Sequence, residues 1–361
     1  MKPSATSDEK PGIGASSAYC STSSRIDRTI LDSDASEVTR RRARVLFIGG
    51  SMNQTTQVYR VATQMSDVDA WFSPHYATGF EEWLRKLRLA EFTVLGRKHV
   101  NRSLRFFRER GLRIDYGGTR NDYDLVVTSS DLVVQENIRR RPVVLIQEGM
   151  TDPETWLFRL AVRVPCVPRW VAGTATNGLS DEYSCFCVAS KGYRDLFIRK
   201  GVKADKIRVT GIPNFDHCRK YCENEFPHRG YVLVCTSDLR EKYRFENRAA
   251  LIRRAVDIAG GRRLIFKLHP NENVRRAALE IRRLAPHALV YSSGSAEEMI
   301  ANCDVFITRY SSTVYVALAL GKEVHCDLDQ EELRNLVPDQ HGQAAENIAA
   351  VCRELLAASH F

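Results

Sequence analysis

The chain is expected to fold as α/β, with two Rossmann-like domains whose parallel sheets face each other across a cleft. Three observations predict this. Short apolar runs alternate with helical stretches from Arg44 onward. Several of these runs, such as Val143-Val144-Leu145-Ile146, are apolar at every position, as strands buried on both faces are. A polar stretch from Glu223 to Gly230, containing Pro227, separates two such series. The length, 361 residues, accommodates about two domains of ordinary size. The expected organisation is a disordered tail at 1–43, a first domain at 44–222, a second at 223–345 and a C-terminal helix at 346–361.

The tail is rich in Ser, Thr, Asp and Arg and lacks the apolar core of a secretory signal. Order starts at Arg44, and the apolar run Val45-Leu46-Phe47-Ile48 leads into Gly49-Gly50-Ser51 and a helix from about Asn53 to Met65. Strand, glycine turn and helix open a βαβ unit. Glu81–Leu89 then reads as a helix, Phe92–Leu95 as a strand and Asn101–Arg110 as a helix bounded by Gly111. Asp124–Thr128 and Val143–Ile146 are buried strands. Thr151-Asp152-Pro153-Glu154 is expected to open a helix, with Thr151 or Asp152 as its cap and proline in its first turn. Phe186–Ala189 is a strand, Lys191–Lys200 a helix stopped by Gly201, and Ile207–Asn214 a strand entering a Gly-Pro turn.

The second series repeats the plan. Its strands are Tyr231–Cys235, Leu264–Leu268, Ala288–Tyr291, Asp304–Thr308 and Glu323–Cys326. Its helices are Asn247–Ala259, Val274–Leu284, Ala296–Ala301 and Thr313–Leu320. Glu346–Leu356 is amphipathic and long enough to cross back to the first domain.

The formal net charge is +9, dominated by arginine, which suits phosphorylated small molecules, anionic membranes or a solvated basic surface. Basic residues are not interleaved with aromatics in the manner of a nucleic-acid module, so nucleic acid is not an expected partner. The ten cysteines contain no CxxC pair and fit a reducing cytoplasm. Cys185 and Cys187 fall on one strand and are expected on opposite faces. Cys218 and Cys222, with His217 and His228, lack the paired spacing of a structural zinc site, so neither metal nor cofactor is expected. No run reaches the length of a membrane span. The stretch from Trp156 to Trp170 mixes large apolar residues with Arg159, Arg163 and Arg169. That pattern fits a buried helix face or a surface resting on an anionic membrane.

Chemistry is sought beyond the carboxyl ends of the strands, where ligands of parallel sheets bind. The second strand of the later series ends in Lys267-Leu268-His269-Pro270-Asn271. A histidine at such a tip donates a hydrogen bond to phosphate, with Lys267 adding charge nearby. The fourth ends in Arg309-Tyr310-Ser311-Ser312-Thr313 and a helix, offering hydroxyls and unpaired N–H groups to an anion, or simply helix caps. Thr236-Ser237-Asp238 adds a third wall. In the first series, Glu148 follows a buried strand and is the first choice for a general base, with Asp152 second and His75 third. Asp152 reads equally well as a helix cap.

The run Lys267–Pro270, then Asp304 through Ser312, then Ala317–Lys322, resembles nucleotide-dependent transferases of the GT-B fold. It is similar to the CDP-glycerol glycerophosphotransferase branch and to bacterial polysaccharide glycosyltransferases. UDP-N-acetylglucosamine 2-epimerases share that fold and a turn similar to Thr210-Gly211-Ile212-Pro213. The resemblance covers Tyr231 to Cys326 best. It implies that His269, Ser311 and Ser312 contact the donor diphosphate, with Arg309, Thr313 and Lys267 around it. Glu148-Gly149 is similar to the acidic-glycine motif of bacterial sialyltransferases. Val316 stands where relatives carry a ribose-binding glutamate, Glu323 where they carry proline, and Arg309 where they carry aspartate.

The expected function is therefore glycosyl transfer from a nucleotide-activated donor (UDP-, GDP-, CDP- or CMP-linked) to a glycan or lipid-linked acceptor in surface polysaccharide synthesis. The expected location is the cytoplasm, with peripheral contact on the inner face of the membrane. The alternatives are glycerophosphate transfer, a 2-epimerase and a non-catalytic nucleotide-binding scaffold.

Overall fold

Runs of four or five apolar residues become strands with no exposed face. In the computed structural model, which describes residues 41–87, 95–164, 167–242 and 245–358, the strands Leu125–Thr128 (β3), Val143–Ile146 (β4) and Cys185–Val188 (β5) are buried at every position. They join Arg44–Ile48 (β1), Asp69–Ser73 (β2) and Ile207–Val209 (β6) in a parallel six-stranded sheet of order β2-β1-β3-β4-β5-β6. Val232–Cys235 (β7), Leu264–Lys267 (β8), Leu289–Tyr291 (β9), Val305–Ile307 (β10) and Glu323–His325 (β11) form a parallel five-stranded sheet of order β11-β10-β7-β8-β9. The two parallel sheets expected from the sequence are thus present. Residues 1–40 of the expected tail, and Phe92–Val94 of the expected strand, lie outside the described residues.

Each order contains a switch point. From β1 the chain moves outward to β2 and then returns to place β3 on the other side. From β7 it moves to β8 and β9 and then returns to place β10 on the other side. Loops leaving the two strands at such a reversal diverge, and the crevice between them is where open α/β sheets bind ligands. In the six-stranded sheet that crevice opens beyond Gly49-Gly50-Ser51 and Thr128. In the five-stranded sheet it opens beyond Thr236-Ser237-Asp238 and Thr308.

The helices cover the sheets where their caps place them. Met52–Thr63 (α1) starts from Ser51 in a reciprocal capping box with Gln54. Gly79–Lys86 (α2) and Arg97–Glu109 (α3) follow, the latter beginning four residues before the Asn101 expected from the sequence. Lys191–Lys200 (α5) is capped by Ser190 and ends on Gly201 in the left-handed region, as expected. Arg248–Ala259 (α6), Val274–Leu284 (α7) and Ala296–Asn302 (α8) are capped by Asn247, Asn273 and Ser295.

Between β4 and β5 the outcome differs from expectation. The helix starts at Trp156 and runs to Arg163 (α4), with Thr155 before it. Asp152 does not cap it. Its carboxylate accepts from the Thr174 backbone N–H (3.0 Å) and hydroxyl (2.8 Å), and Thr174 Oγ1 accepts from the Asp152 N–H (2.7 Å). This reciprocal pairing leaves Asp152 no cap to make. Cys185 and Cys187 also differ from expectation: residues two apart on a strand share a face, and their thiols interact.

After Thr313–Ala319 (α9) and β11, the chain leaves the five-stranded sheet. Gln330–Leu336 (α10) packs on α5, and Ala344–Ala358 (α11) on α1. The approach of α10 is close enough to require glycine: a Cβ on Gly192 would lie 2.0 Å from the Asn335 carbonyl oxygen. Arg353 secures α11 by donating to Asp67 at 2.8 and 3.0 Å. Asp216 holds the crossing segment by accepting from the N–H groups of Gly342 and Ala344. None of the described helices is long and apolar enough to cross a membrane.

Candidate functional site

The five-stranded sheet presents three adjacent strand tips. β7 lies between β8 and β10, so the loops leaving β8 and β10 stand about 10 Å apart, two strand spacings, with the β7 tip between them. Hydrogen bonds tie the tips together. Thr308 Oγ1 donates to the Cys235 carbonyl (3.1 Å), the Thr236 N–H to the Lys267 carbonyl (3.1 Å), and the His269 N–H to Thr236 Oγ1 (3.1 Å). His269 and the serine loop therefore converge on one edge, as the diphosphate expectation requires.

His269 is oriented by its own turn. The Asn271 N–H donates to Nδ1 at 3.2 Å, and Asp238 Oδ2 lies 3.7 Å from the same nitrogen. With Nδ1 accepting from Asn271, the neutral ring carries its proton on Nε2. Ser311, Ser312 and Thr313 are half-buried. Ser311 Oγ and Thr313 Oγ1 are 2.9 Å apart, and the Thr313 N–H points at Ser311 Oγ (3.4 Å). α9 is only seven residues long, and the Ser312 side chain makes no cap bond. What this loop offers an anion is its hydroxyls and backbone N–H groups rather than a long helix dipole.

The other phosphate candidates are turned elsewhere. Arg309 Nε donates to Asp327 Oδ2 at 2.7 Å, towards the segment after β11. Lys267 is 6% exposed, and its ammonium donates to the Leu268 carbonyl (3.1 Å), beneath the loop rather than at its surface.

Opposite these tips stands the loop after β4. Glu148 is held by both halves of the α1 capping box: Ser51 Oγ donates to Oε1 (2.6 Å) and Gln54 Nε2 to Oε2 (2.8 Å). The glycine turn after β1 and the Glu148-Gly149 pair are thereby one structure. The next residue touches the other sheet's loop: a Cβ on Gly149 would lie 3.4 Å from Ser312 Cβ and 3.3 Å from the Phe215 ring. Tyr310 donates its hydroxyl to the Thr151 carbonyl, and the Tyr193 and Tyr315 hydroxyls meet at 2.5 Å. Lys98, on α3, reaches Asn271 Oδ1 at 3.2 Å. The loop that carries the first choice for a base thus touches the serine loop.

His75 occupies the loop after β2, 1% exposed, with neither ring nitrogen hydrogen-bonded. Burial pulls it down from 6.5 to about 4, so it is neutral at physiological pH. Among the described residues no group of three or more His, Cys, Asp or Glu is placed to hold a metal. Cys218 Sγ instead donates to the Phe215 carbonyl, and His228 Nε2 lies 3.0 Å from the Tyr291 hydroxyl.

Two features escaped the sequence reading. The tyrosine contacts between the walls join residues far apart in the chain and carry no local signal. A buried network behind the β7 and β8 tips also went unread. Glu272 accepts from Thr236 Oγ1 (2.5 Å) and from the His269 N–H (3.3 Å), and lies 2.6 Å from Arg248 Nη1. Glu246 accepts from Ser237 Oγ (3.1 Å) and Arg248 Nη2 (2.8 Å). By contrast the Ser51-x-x-Gln54 spacing is a capping-box signature that was there to be read.

No protein-family model matches this sequence, and no curated protein matches it. Solved structures share its fold. Staphylococcus aureus MnaA, solved with UDP, superposes with a TM-score of 0.55 at 13% identity, over 87% of this chain and 97% of that one. UDP-GlcNAc 2-epimerase from Neisseria meningitidis, bound to UDP-GlcNAc, gives 0.51 at 12% identity, over 87% and 91%. The Methanocaldococcus jannaschii UDP-GlcNAc 2-epimerase, in complex with UDP-GlcNAc and UDP, gives 0.50 at 14%, over 87% and 92%. At such identities the likeness establishes the architecture: an α/β fold of two parallel sheets, of GT-B type.

Proposed function

We propose that this chain is an enzyme of glycan synthesis that binds a nucleotide-activated sugar and transfers the sugar to an acceptor hydroxyl. The observation that supports this reading is the approach of Gly149 to Ser312, which brings the loop that carries Glu148 against the candidate diphosphate loop. The diphosphate would dock between His269 and Ser311-Ser312, at the switch point of the five-stranded sheet. The sugar would then point towards the loop after β4.

In the reaction the acceptor oxygen bonds to the anomeric carbon while the bond from that carbon to the diphosphate oxygen breaks. The acceptor proton passes to Glu148. The electron pair leaves with the diphosphate, whose growing charge meets the His269 Nε2–H and the donors of the serine loop. Ser51 Oγ and Gln54 Nε2 each donate to one oxygen of the carboxylate and so fix its plane.

Transfer is preferred to epimerisation because one suitable carboxylate serves it. Asp115, Asp131 and Asp152, acids in other loops of this sheet, each accept from backbone N–H groups and so brace the fold. UDP is the first nucleotide to test, since the related structures hold UDP or UDP-GlcNAc.

The test is a thermal-shift panel of UDP, GDP, CDP and CMP, followed by turnover of the linked sugar with and without acceptor. A diphosphate is expected to raise the melting temperature. His269→Ala and Ser312→Ala are expected to remove that rise, and Glu148→Gln to keep it while stopping turnover. A response to CDP or CMP alone would move the donor to the alditol or sialyl class. Epimerisation of the donor without acceptor would replace the transfer reading, and no response to any nucleotide would end it.

A further inference from the structure

We propose that the outer face of α4 is a docking surface for an anionic lipid bilayer. Trp156 is 71% exposed, Val162 52% and Leu160 38%, while Phe158 and Ala161, on the opposite side of the same two turns, are buried. Positions 156, 160 and 163 are spaced to share one helix face, and Arg159 lies beside them. That face therefore reads Trp, Leu and two arginines, all of them exposed.

The charges near it are sorted. Glu154 is turned to Lys200 (3.9 Å), whose side chain is only 4% exposed, and Asp152 is held by Thr174. The acids that precede the helix are thus tied to the protein, whereas neither Arg159 nor Arg163 is paired with a carboxylate among the described residues. The outward face is cationic, on a chain whose formal net charge is +9.

An indole seats in the boundary layer of a bilayer, with its apolar body inward and its N–H in the headgroups, and leucine enters the acyl region beside it. Arginine lays its stem along the same surface and keeps its guanidinium at the phosphates. A short helix whose two exposed arginines lie on one side of the apolar pair matches a flat, anionic surface. α4 also follows the loop that carries Glu148, so a bilayer against it would present headgroups on the acceptor side of the cleft. The lipid surface itself does not depend on the transfer reading.

The experiment is co-sedimentation of the full chain with phosphatidylglycerol-containing vesicles and with pure phosphatidylcholine vesicles, alongside sedimentation velocity without lipid. The chain is expected to pellet with the anionic vesicles, less so as salt rises, and to stay in solution with the zwitterionic ones. Arg159→Glu/Arg163→Glu is expected to weaken binding at least 25-fold, from about fivefold for each positive charge removed. Trp156→Ala/Leu160→Ala is expected to abolish it. Both variants should keep the wild-type melting temperature and nucleotide response, which separates lipid docking from the cleft. Failure of the wild-type chain to bind anionic vesicles would overturn the proposal, as would binding that neither variant weakens. Self-association that depends on Trp156 and Leu160, without vesicle binding, would assign the face to a second copy instead.

Discussion

Replacing Arg248 with methionine tests what holds the donor-side loops. The Glu246 and Glu272 side chains are fully buried, and Arg248 is 3% exposed between them. Its Nη2 hydrogen-bonds to Glu246, while its Nη1 is an ion contact to Glu272 without hydrogen-bond alignment. The substitution keeps most of the volume and, among the cations of the described residues, leaves Arg240 near the two buried carboxylates, at 3.7 and 3.8 Å. Stranding one partner of a buried pair costs about 3–5 kcal/mol, and the remaining Arg240 favours the lower end, about 3 kcal/mol. At about 2 °C per kcal/mol for a chain of this size, the melting temperature should fall by about 6 °C at neutral pH. Glu272→Leu in the same chain removes one stranded charge and should restore much of that loss. It should not restore nucleotide affinity, because Glu272 also accepts from Thr236 Oγ1 and the His269 N–H. Scanning calorimetry with and without UDP reads both quantities. An Arg248→Met chain melting within about 1 °C of wild type would refute the bracing role.

Three further outcomes follow from particular contacts. Gly149→Val should abolish nucleotide-dependent turnover with a loss of about 1–3 kcal/mol in stability, since even its Cβ falls 3.4 Å from Ser312 Cβ; kinetics and melts check it. Gly192→Ala should displace α10 from α5, because the new Cβ would lie 2.0 Å from the Asn335 carbonyl oxygen, and amide exchange in α10 should quicken. His75 titrates at about 4 in the folded chain against 6.5 unfolded. The unfolded chain then binds more protons, so its contribution is complete above pH 6.5 and is lost as pH falls towards 4, amounting to about 3 kcal/mol. His75→Leu should flatten the pH dependence of stability in that window, as followed by denaturant titration.

The parts legible in the sequence are those encoded locally. Continuous apolar runs marked the strands, and Gly201 marked the end of α5. Strand tips located His269 and Ser311-Ser312, because a parallel sheet presents all its tips at one edge. The start of α4 was misread because Asp152 had two competing partners. Its bond to Thr174, 22 residues on, prevailed over a cap, and only the folded chain brings Thr174 near. Lys267 and Arg309 were placed by proximity in sequence, while their directions follow from strand alternation and from Asp327. The cleft itself rests on pairs such as Tyr310 with Thr151, 159 residues apart, and no sequence window contains both.

A crystal structure of the chain soaked with UDP decides whether a pyrophosphate docks where the β8 and β10 loops converge. The β-phosphate is expected within hydrogen-bond distance of His269 Nε2 and of the Ser311-Ser312 loop. Ordered nucleotide elsewhere on the chain, with those groups unliganded, would overturn the proposed site.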